Sequence, residues 1–353
     1  MWVYWTLFFW PALSALGIVQ SRATDLVGKL SISALAIALT LVIGLRFEVG
    51  VDWDNYLEHL YLADSLNLLD VLQGSDPAYG LLDWLAAGAG YGIWFCNLIS
   101  AIVFVSGLLV FCNRLPNTWL ALTVAMPYIV IVMAMNYTRQ GAAFGLVLWG
   151  LVALLDMNVR RFLVLVLLAT LFHKTAALLL PLAIFFVKGS GRLRAIIGVS
   201  IATTLAYVLF LSEHEVVMYE TYILDRYTSD GAAIRVIMNT AAAVVFLLAR
   251  VRINIPPEEK MFWTRFSLIS LLFVPALLLS PSSTAVDRMA LYFLPLQLVA
   301  YAHIPDVVAR WGLKKVMVIF LVAFYWLVMF VWFNYSNFHH AWLPYKFYPF
   351  EVS

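Results

Sequence analysis

Leu45-Arg46-Phe47-Glu48-Val49-Gly50-Val51-Asp52-Trp53-Asp54-Asn55-Tyr56 is the stretch on which the reading of this chain turns. It follows directly on the apolar run 30–45, so it begins where hydrocarbon would give way to water. Within twelve positions it sets an arginine, a glycine, two aspartates and a tyrosine. A charged, aromatic-rich cluster at a membrane surface suits a polar, anionic headgroup.

Composition says the same of the rest. The 353 residues are 64% hydrophobic and 12% charged, with a mean hydropathy of +0.91. A soluble domain is nearer half apolar and a quarter charged. The expected fold class is therefore an all-α polytopic integral membrane protein. A net charge of +2 with no basic tract argues against nucleic acid. Cys96 and Cys112 fall in one expected span, about 24 Å apart along a helix. They cannot bond to each other and carry no information about compartment. No basic residue precedes the first apolar run, so a cleaved signal peptide is not expected.

Apolar runs lie at 2–20, 30–45, 91–112, 117–135, 140–156, 162–172, 175–187, 195–212, 233–250, 262–280, 289–308 and 315–334, about 12 segments in all. Alternate connections hold 15 of the 22 basic residues, among them Arg114, Arg160, Arg161, Arg192 and Lys315. The positive-inside rule then puts both termini outside, and 15 of the 20 acidic residues lie on that outer side. Phe162–Phe172 and Thr175–Val187 are short, about 16 and 20 Å of helix against a core of about 30 Å. They read as tilted short spans or as a broken hairpin, with His173 and Lys174 below the outer surface in an outward-facing cavity. Outer loops are expected at 46–90 and 212–235. Residues 52–76 read as an interfacial amphipathic helix with Tyr56, Leu57, Leu60 and Tyr61 on its apolar side. Asp76-Pro77 ends it. No repeat, linker or soluble domain is evident, so 1–353 is expected to form a single transmembrane domain.

Basic residues on the translocated side are the exception, and each asks for a reason. Arg46 ends the second span, Arg139 opens the fifth and Arg288 opens the eleventh. With His173 and Lys174 they would ring the mouth of one cavity, where guanidinium forks suit pyrophosphate oxygens. Against this stands snorkelling to headgroups, or pairing with an acid such as Asp287. Arg226 and Arg235, in an acidic loop, read as solvated. A histidine beside apolar helices is more often a packing residue, but His173 in a chain break next to Lys174 is placed to take a proton. Asp52 and Asp54 alone are a weak metal signal, and neither a metal nor a cofactor is expected. Asp54 fits the first turn of the surface helix. Asp52 fits its N-cap, or else an arginine partner or an alternative base. The tail Trp342-Leu343-Pro344-Tyr345 fits an interfacial aromatic belt better than sugar stacking. No phosphate-binding glycine loop, GxSxG, HExxH or CxxC occurs, so a nucleotide-sugar donor has no support.

Four motifs in order, Arg46-x3-Gly50-x-Asp52-x3-Tyr56, Asn136-Tyr137-Thr138-Arg139-Gln140, Phe172-His173-Lys174-Thr175 and Asp287-Arg288-x3-Tyr292, resemble the EpsG-like polysaccharide polymerases, relatives of Wzy. The resemblance runs over nearly the whole chain, down to Pro344-Tyr345. It implies an architecture similar to the C-type membrane glycosyltransferases, and a site on the outer face of a bacterial cytoplasmic (inner) membrane. The implied reaction transfers a glycan from undecaprenyl pyrophosphate to the non-reducing end of another lipid-linked oligosaccharide. The implied partners are that lipid-linked oligosaccharide, membrane lipid and a chain-length regulator protein. On this reading Arg288 and Arg139 stabilise the leaving pyrophosphate, with Arg46 second and Lys174 and Tyr56 in the binding set. His173 or Asp52 takes the acceptor proton, and Gln140 and Tyr292 position the substrate. The rivals are an O-antigen ligase, a C-type glycosyltransferase using a lipid-linked sugar, and a flippase. A ligase should carry its large outer loop late in the chain. A flippase should carry charge on a path to both faces, whereas here it lies in the outer half.

Overall fold

The computed structural model describes residues 1–18, 25–186, 197–198, 200–201, 204 and 231–351. Apart from 195–212, every apolar run in the sequence coincides with helix. That run, the loop 212–235 up to its last residues, Arg226, and Lys188, Arg192 and Arg194 lie outside the described residues. Among the described residues, six helices are long and apolar enough to cross a membrane, or seven if one bent pair is a single span. The expected count of about 12 spans is therefore not confirmed among the described residues.

In chain order the elements are α1 (Trp2–Ala15), α2 (Leu26–Gly44), strand β1 (Arg46–Phe47), α3 (Trp53–Ser65), α4 (Leu68–Leu72), α5 (Pro77–Ala89) and α6 (Ile93–Asn113). Then come α7 (Thr118–Ala125), which runs on into a π-helical stretch Met126–Ala134, α8 (Thr138–Leu155), α9 (Val159–Phe172) and a 3-10 segment Lys174–Phe186. The rest are α10 (Ala232–Ala249), α11 (Pro257–Leu271), α12 (Phe273–Leu279), α13 (Ser283–Ala290), α14 (Pro295–Val308), α15 (Lys314–Tyr335), strand β2 (Lys346–Phe347) and α16 (Tyr348–Glu351).

Parallel helices α6 and α8 form the spine. A Cβ on Gly107 would sit 1.9 Å from the Gly145 carbonyl oxygen, and one on Gly145 would sit 2.5 Å from that of Val103. Only glycines allow backbones to approach so closely, as in other tightly crossed membrane helices. The crossing brings Asn97 on α6 beside Thr138 on α8. On the opposite flank a chain of hydrogen bonds ties four helices together. Tyr325 donates to Gln297 at 2.6 Å, Gln297 to Asn239 at 2.6 Å, and Asn239 to the Ala290 carbonyl at 3.0 Å. This network fixes the end of α13, the helix that carries Arg288. A 45° bend separates α13 from α14, and Pro295 at the start of α14 explains it.

The short pair at 159–186 breaks at His173, as both readings of it allowed. Helix α9 and the 3-10 segment pack together across an extended residue, His173 (φ −157°, ψ 112°). The surface helix expected at 52–76 is divided into α3 and α4, and with α5 these stack on one another and on α6. Tyr56 is buried there, but Tyr61 is 75% exposed, because five residues on a helix turn it about 140° away from Tyr56. The tail also departs from an interfacial belt. Trp342 is 2% exposed and donates to the Ile131 carbonyl at 2.9 Å, while Tyr345 donates to that of Val42 at 2.9 Å. Strand β2 then pairs antiparallel with β1, Arg46 opposite Phe347, so the tail clamps the stretch that opened the sequence reading.

Candidate active site

Gly50 explains the first motif. Its φ is +104°, and a Cβ there would meet the Met135 carbonyl oxygen at 2.8 Å and Asn136 Oδ1 at 3.1 Å. Glycine lets the chain lie against the end of the π-helical stretch, where Asn136 Oδ1 accepts from the Asp52 N–H at 3.1 Å. Motifs one and two are thereby joined at Asp52. Asp52 stands at the N-cap of α3, yet its side chain makes no capping bond, so the carboxylate remains available. Burial raises its pKa above the ordinary carboxylate value, opposed by Arg288 and Arg139. Asp54 is exposed in the first turn.

Arg46 is not at the mouth of a cavity. It is 1% exposed, and its guanidinium donates to the carbonyls of Ile43 (2.6 Å) and Val49 (3.2 Å), to Asn97 Oδ1 (3.2 Å) and to Thr138 Oγ1 (2.7 Å). These inward bonds stitch the end of α2 to α6 and α8. The expectation that Arg46 binds substrate is corrected on this ground: its donors are committed to the fold.

Arg139 and His173 meet on a residue that the sequence reading treated only as a helix stop. Asp76 accepts from Arg139 Nη1 at 3.0 Å and from the Lys174 backbone N–H at 3.1 Å, and His173 Nδ1 stands 3.8 Å away. Burial by itself would raise the Asp76 carboxyl. His173, Arg139 and the Lys174 N–H outweigh it and hold the group below its usual value. The signal that would have found it is electrostatic: a cation at the head of a span needs an anion, and the loop 46–90 alone holds eight of the 20 acids. Arg139 also faces the rings of Tyr56 and Tyr79 at 5.7 and 5.9 Å, a cation–π placement. At 3.8 Å the His173–Asp76 approach is too long for a hydrogen bond, and both ring nitrogens are buried without a partner.

Arg288 completes the group. Its backbone carbonyl accepts from Gln140 at 3.1 Å, and its charge acts on Asp52, His173, Lys174 and Tyr292. Neither the Arg288 nor the Lys174 side chain has an ion pair among the described residues. Tyr292 lies underneath, hydrogen-bonded to Thr175 at 3.2 Å. Asp287 is paired not with Arg288 but with Arg235, whose Nε donates to it at 2.6 Å and whose Nη2 makes a second contact. Arg235 is therefore held by an ion pair rather than simply solvated. No group of three or more His, Cys, Asp or Glu that could hold a metal is found among the described residues.

The structure thus gathers Asp52, Tyr56, Arg139, Gln140, His173, Lys174, Arg288 and Tyr292 at one end of the bundle, adds Asp76, and turns Arg46 away. Among the described residues, such a site offers two cations without an ion pair and two candidate bases, Asp52 and His173, without a side-chain hydrogen bond. A search of curated proteins gave no match, and neither did a search of solved structures. The EpsG family model matches residues 29–347, a span containing all four motifs and the clamping strand, and on that match the chain belongs to the EpsG family, the EpsG-like polysaccharide polymerases.

Proposed function

We propose that the protein polymerises lipid-linked oligosaccharides on the outer face of a bacterial cytoplasmic membrane. A growing glycan leaves its undecaprenyl pyrophosphate and is joined to the non-reducing end of the next lipid-linked unit. The convergence of Asp52, Arg139, His173, Lys174 and Arg288 around one point carries this reading. In the reaction the bond from the anomeric carbon to the pyrophosphate oxygen breaks and one to the acceptor hydroxyl oxygen forms. Negative charge grows on the departing pyrophosphate, so cations fixed there act on the transition state more than on the ground state. Arg288 and Lys174 supply that charge, with Arg139 held beside them by Asp76. The acceptor proton passes to His173 or Asp52. An apolar groove of about 420 Å³ between α10 and α15, walled by Ile234, Met238, Leu327 and Val331 and bordered by Arg235, gives the lipid chain a place. The Arg235–Asp287 pair links that groove to Arg288.

The test is made in the native host lacking its own copy. Arg288→Ala should leave single repeat units on the carrier with no ladder of longer chains. Arg288→Lys should rescue poorly, because it loses the planar fork. Full-length polymer retained on its carrier would identify a ligase instead. Units accumulating on the cytoplasmic leaflet would identify a flippase.

A further inference from the structure

Behind Arg139 lies a second space. Helices α3, α4 and α5 enclose a cavity of about 220 Å³. Its rim is exposed, at Leu62, Leu66 and Asp70, and its floor is Asp76, Asp83 and Arg139. Arg139 and Asp76 therefore belong both to this cavity and to the cluster that holds His173, Lys174 and Asp52.

The lining chemistry narrows the occupant. Asp76 is already matched by Arg139, so the further carboxylate Asp70 on the rim disfavours an anion. No metal-holding group occurs among the described residues, which disfavours a bare cation. Acceptors, a guanidinium, His59 and the Tyr79 ring in one small space suit a neutral ligand rich in hydroxyls. Tyr79 and Asp83 border this wall from within the fold, at 2% and 3% exposure, so the wall is a fixed part of the helix packing rather than a loose surface. The volume falls below the roughly 300–1,000 Å³ of drug-sized sites, which means one sugar ring rather than an oligosaccharide.

We propose that this cavity is the subsite for the terminal sugar of the acceptor glycan. The inference rests on the polymerase reading above. A ring seated there would enter from the outer surface and point a hydroxyl over the Arg139–Asp76 pair, towards His173. The donor pyrophosphate would remain on the Arg288 and Lys174 side.

The probe is the repeat-unit oligosaccharide released from its carrier by mild acid, titrated calorimetrically into the detergent-purified full chain. Ala63→Phe, on the cavity wall, fills space without removing a polar group. Asp83→Asn alters a hydroxyl partner at constant size. Both should weaken binding by about tenfold or more, a modest loss for contacts of this kind, with thermal unfolding of Asp83→Asn showing a folded protein. Should Ala63→Phe fail to fold, Asp83→Asn alone decides. Unchanged binding in both variants would mean that the cavity holds only water, and would overturn the proposal. So would failure of the unaltered protein to bind the oligosaccharide at millimolar concentration. The polymerase reading fails separately, by normal ladders in Arg288→Ala cells.

Discussion

The two ends of the α6–α8 spine handle charge in opposite ways. At the end bearing their C-termini, Arg114 pairs with Asp156 and, at 3.3 Å, with Glu259. The arginine and Asp156 side chains are 28% and 56% exposed, so the arrangement resembles a surface ion pair. At the other end, cations outnumber anions in a partly closed space. Asp76, with a side chain 7% exposed, is matched by Arg139. Lys174 and Arg288 have no ion pair among the described residues, and both nitrogens of His173 lack a partner. A fold gains nothing from unpaired charge at such depth. The first end is explained by the fold alone, whereas the second is what the proposed anionic substrate would require. The comparison extends to the two arginines that the sequence reading grouped together, since Arg46 is saturated by the protein and Arg288 is not.

That contrast yields the largest expected effect. Arg46→Ala would orphan buried acceptors on Ile43, Val49, Asn97 and Thr138. The loss should be on the order of 5 kcal/mol, the exceptional range for one substitution, and should appear as lost folded protein in detergent. Arg46→Lys should not restore it, because one ammonium cannot reach donors set out as a fork. Arg288→Ala, by contrast, should be made and should melt normally. A well-folded Arg46→Ala that merely loses substrate affinity would return Arg46 to the binding site.

How legible this was in the sequence follows from the kind of signal. Helices were readable because each needs a long apolar run, and the hairpin break at His173 because the runs flanking it are too short. The four motifs were readable because each puts a cation on a connection that the charge balance expects to be poor in them. Which way each side chain faces was not. Arg46 and Arg288 look alike in sequence, and only the Gly107–Gly145 crossing, which carries Asn97 to Thr138, turns Arg46 inward. Asp76 was hidden because an aspartate before a proline reads as a helix boundary, and its carboxylate caps nothing here. Trp342 fitted a belt because an aromatic near a chain end carries no mark of burial.

Next in size is a pH effect at the outer end. Burial pushes the Asp83 carboxyl up from 3.8 to about 7. The unfolded chain releases this proton near 3.8 while the folded chain keeps it, so rising pH favours unfolding across that window. By linkage the loss is up to about 4 kcal/mol at about 1.4 kcal/mol per unit. Thermal melts in detergent from pH 4 to 8 should show it, and Asp83→Asn should flatten the curve and melt higher at pH 8. A wild-type curve that rises across the same window would contradict the assigned direction. Asp76 works in the other sense: its lowered pKa contributes stability that is lost only in more acidic solution, as pH falls through the folded-state value.

The proton acceptor comes third. His173→Ala or Asp52→Asn, whichever removes the base, should slow transfer about a hundredfold or more with carrier binding retained. With Asp52 as base, the rate should rise with pH through a midpoint above the ordinary carboxylate range, because its carboxyl is raised, and Asp52→Asn should erase that limb. Survival of the limb in Asp52→Asn with its loss in His173→Ala would assign the proton to His173. Near-normal rates in both variants would leave the unpartnered imidazole as a packing residue.

The smallest effect is expected at the charged end that needs no ligand. Arg114→Ala removes an ion pair whose partners already meet water, and exposed pairs contribute about 0.2–1 kcal/mol. Glu259 is the complication. Its side chain is only 10% exposed, and it also accepts from Trp263 Nε1 at 3.4 Å, so it keeps one donor when the arginine is gone. Arg114→Ala should therefore lower the melting temperature slightly, and in high salt the difference from the unaltered protein should narrow further. Glycan ladders should be indistinguishable from normal. A lost or shortened ladder in Arg114→Ala, at unchanged melting temperature, would show that this end too handles substrate. That would remove the asymmetry on which the outer site was assigned, and would favour a path through the protein, as a flippase requires.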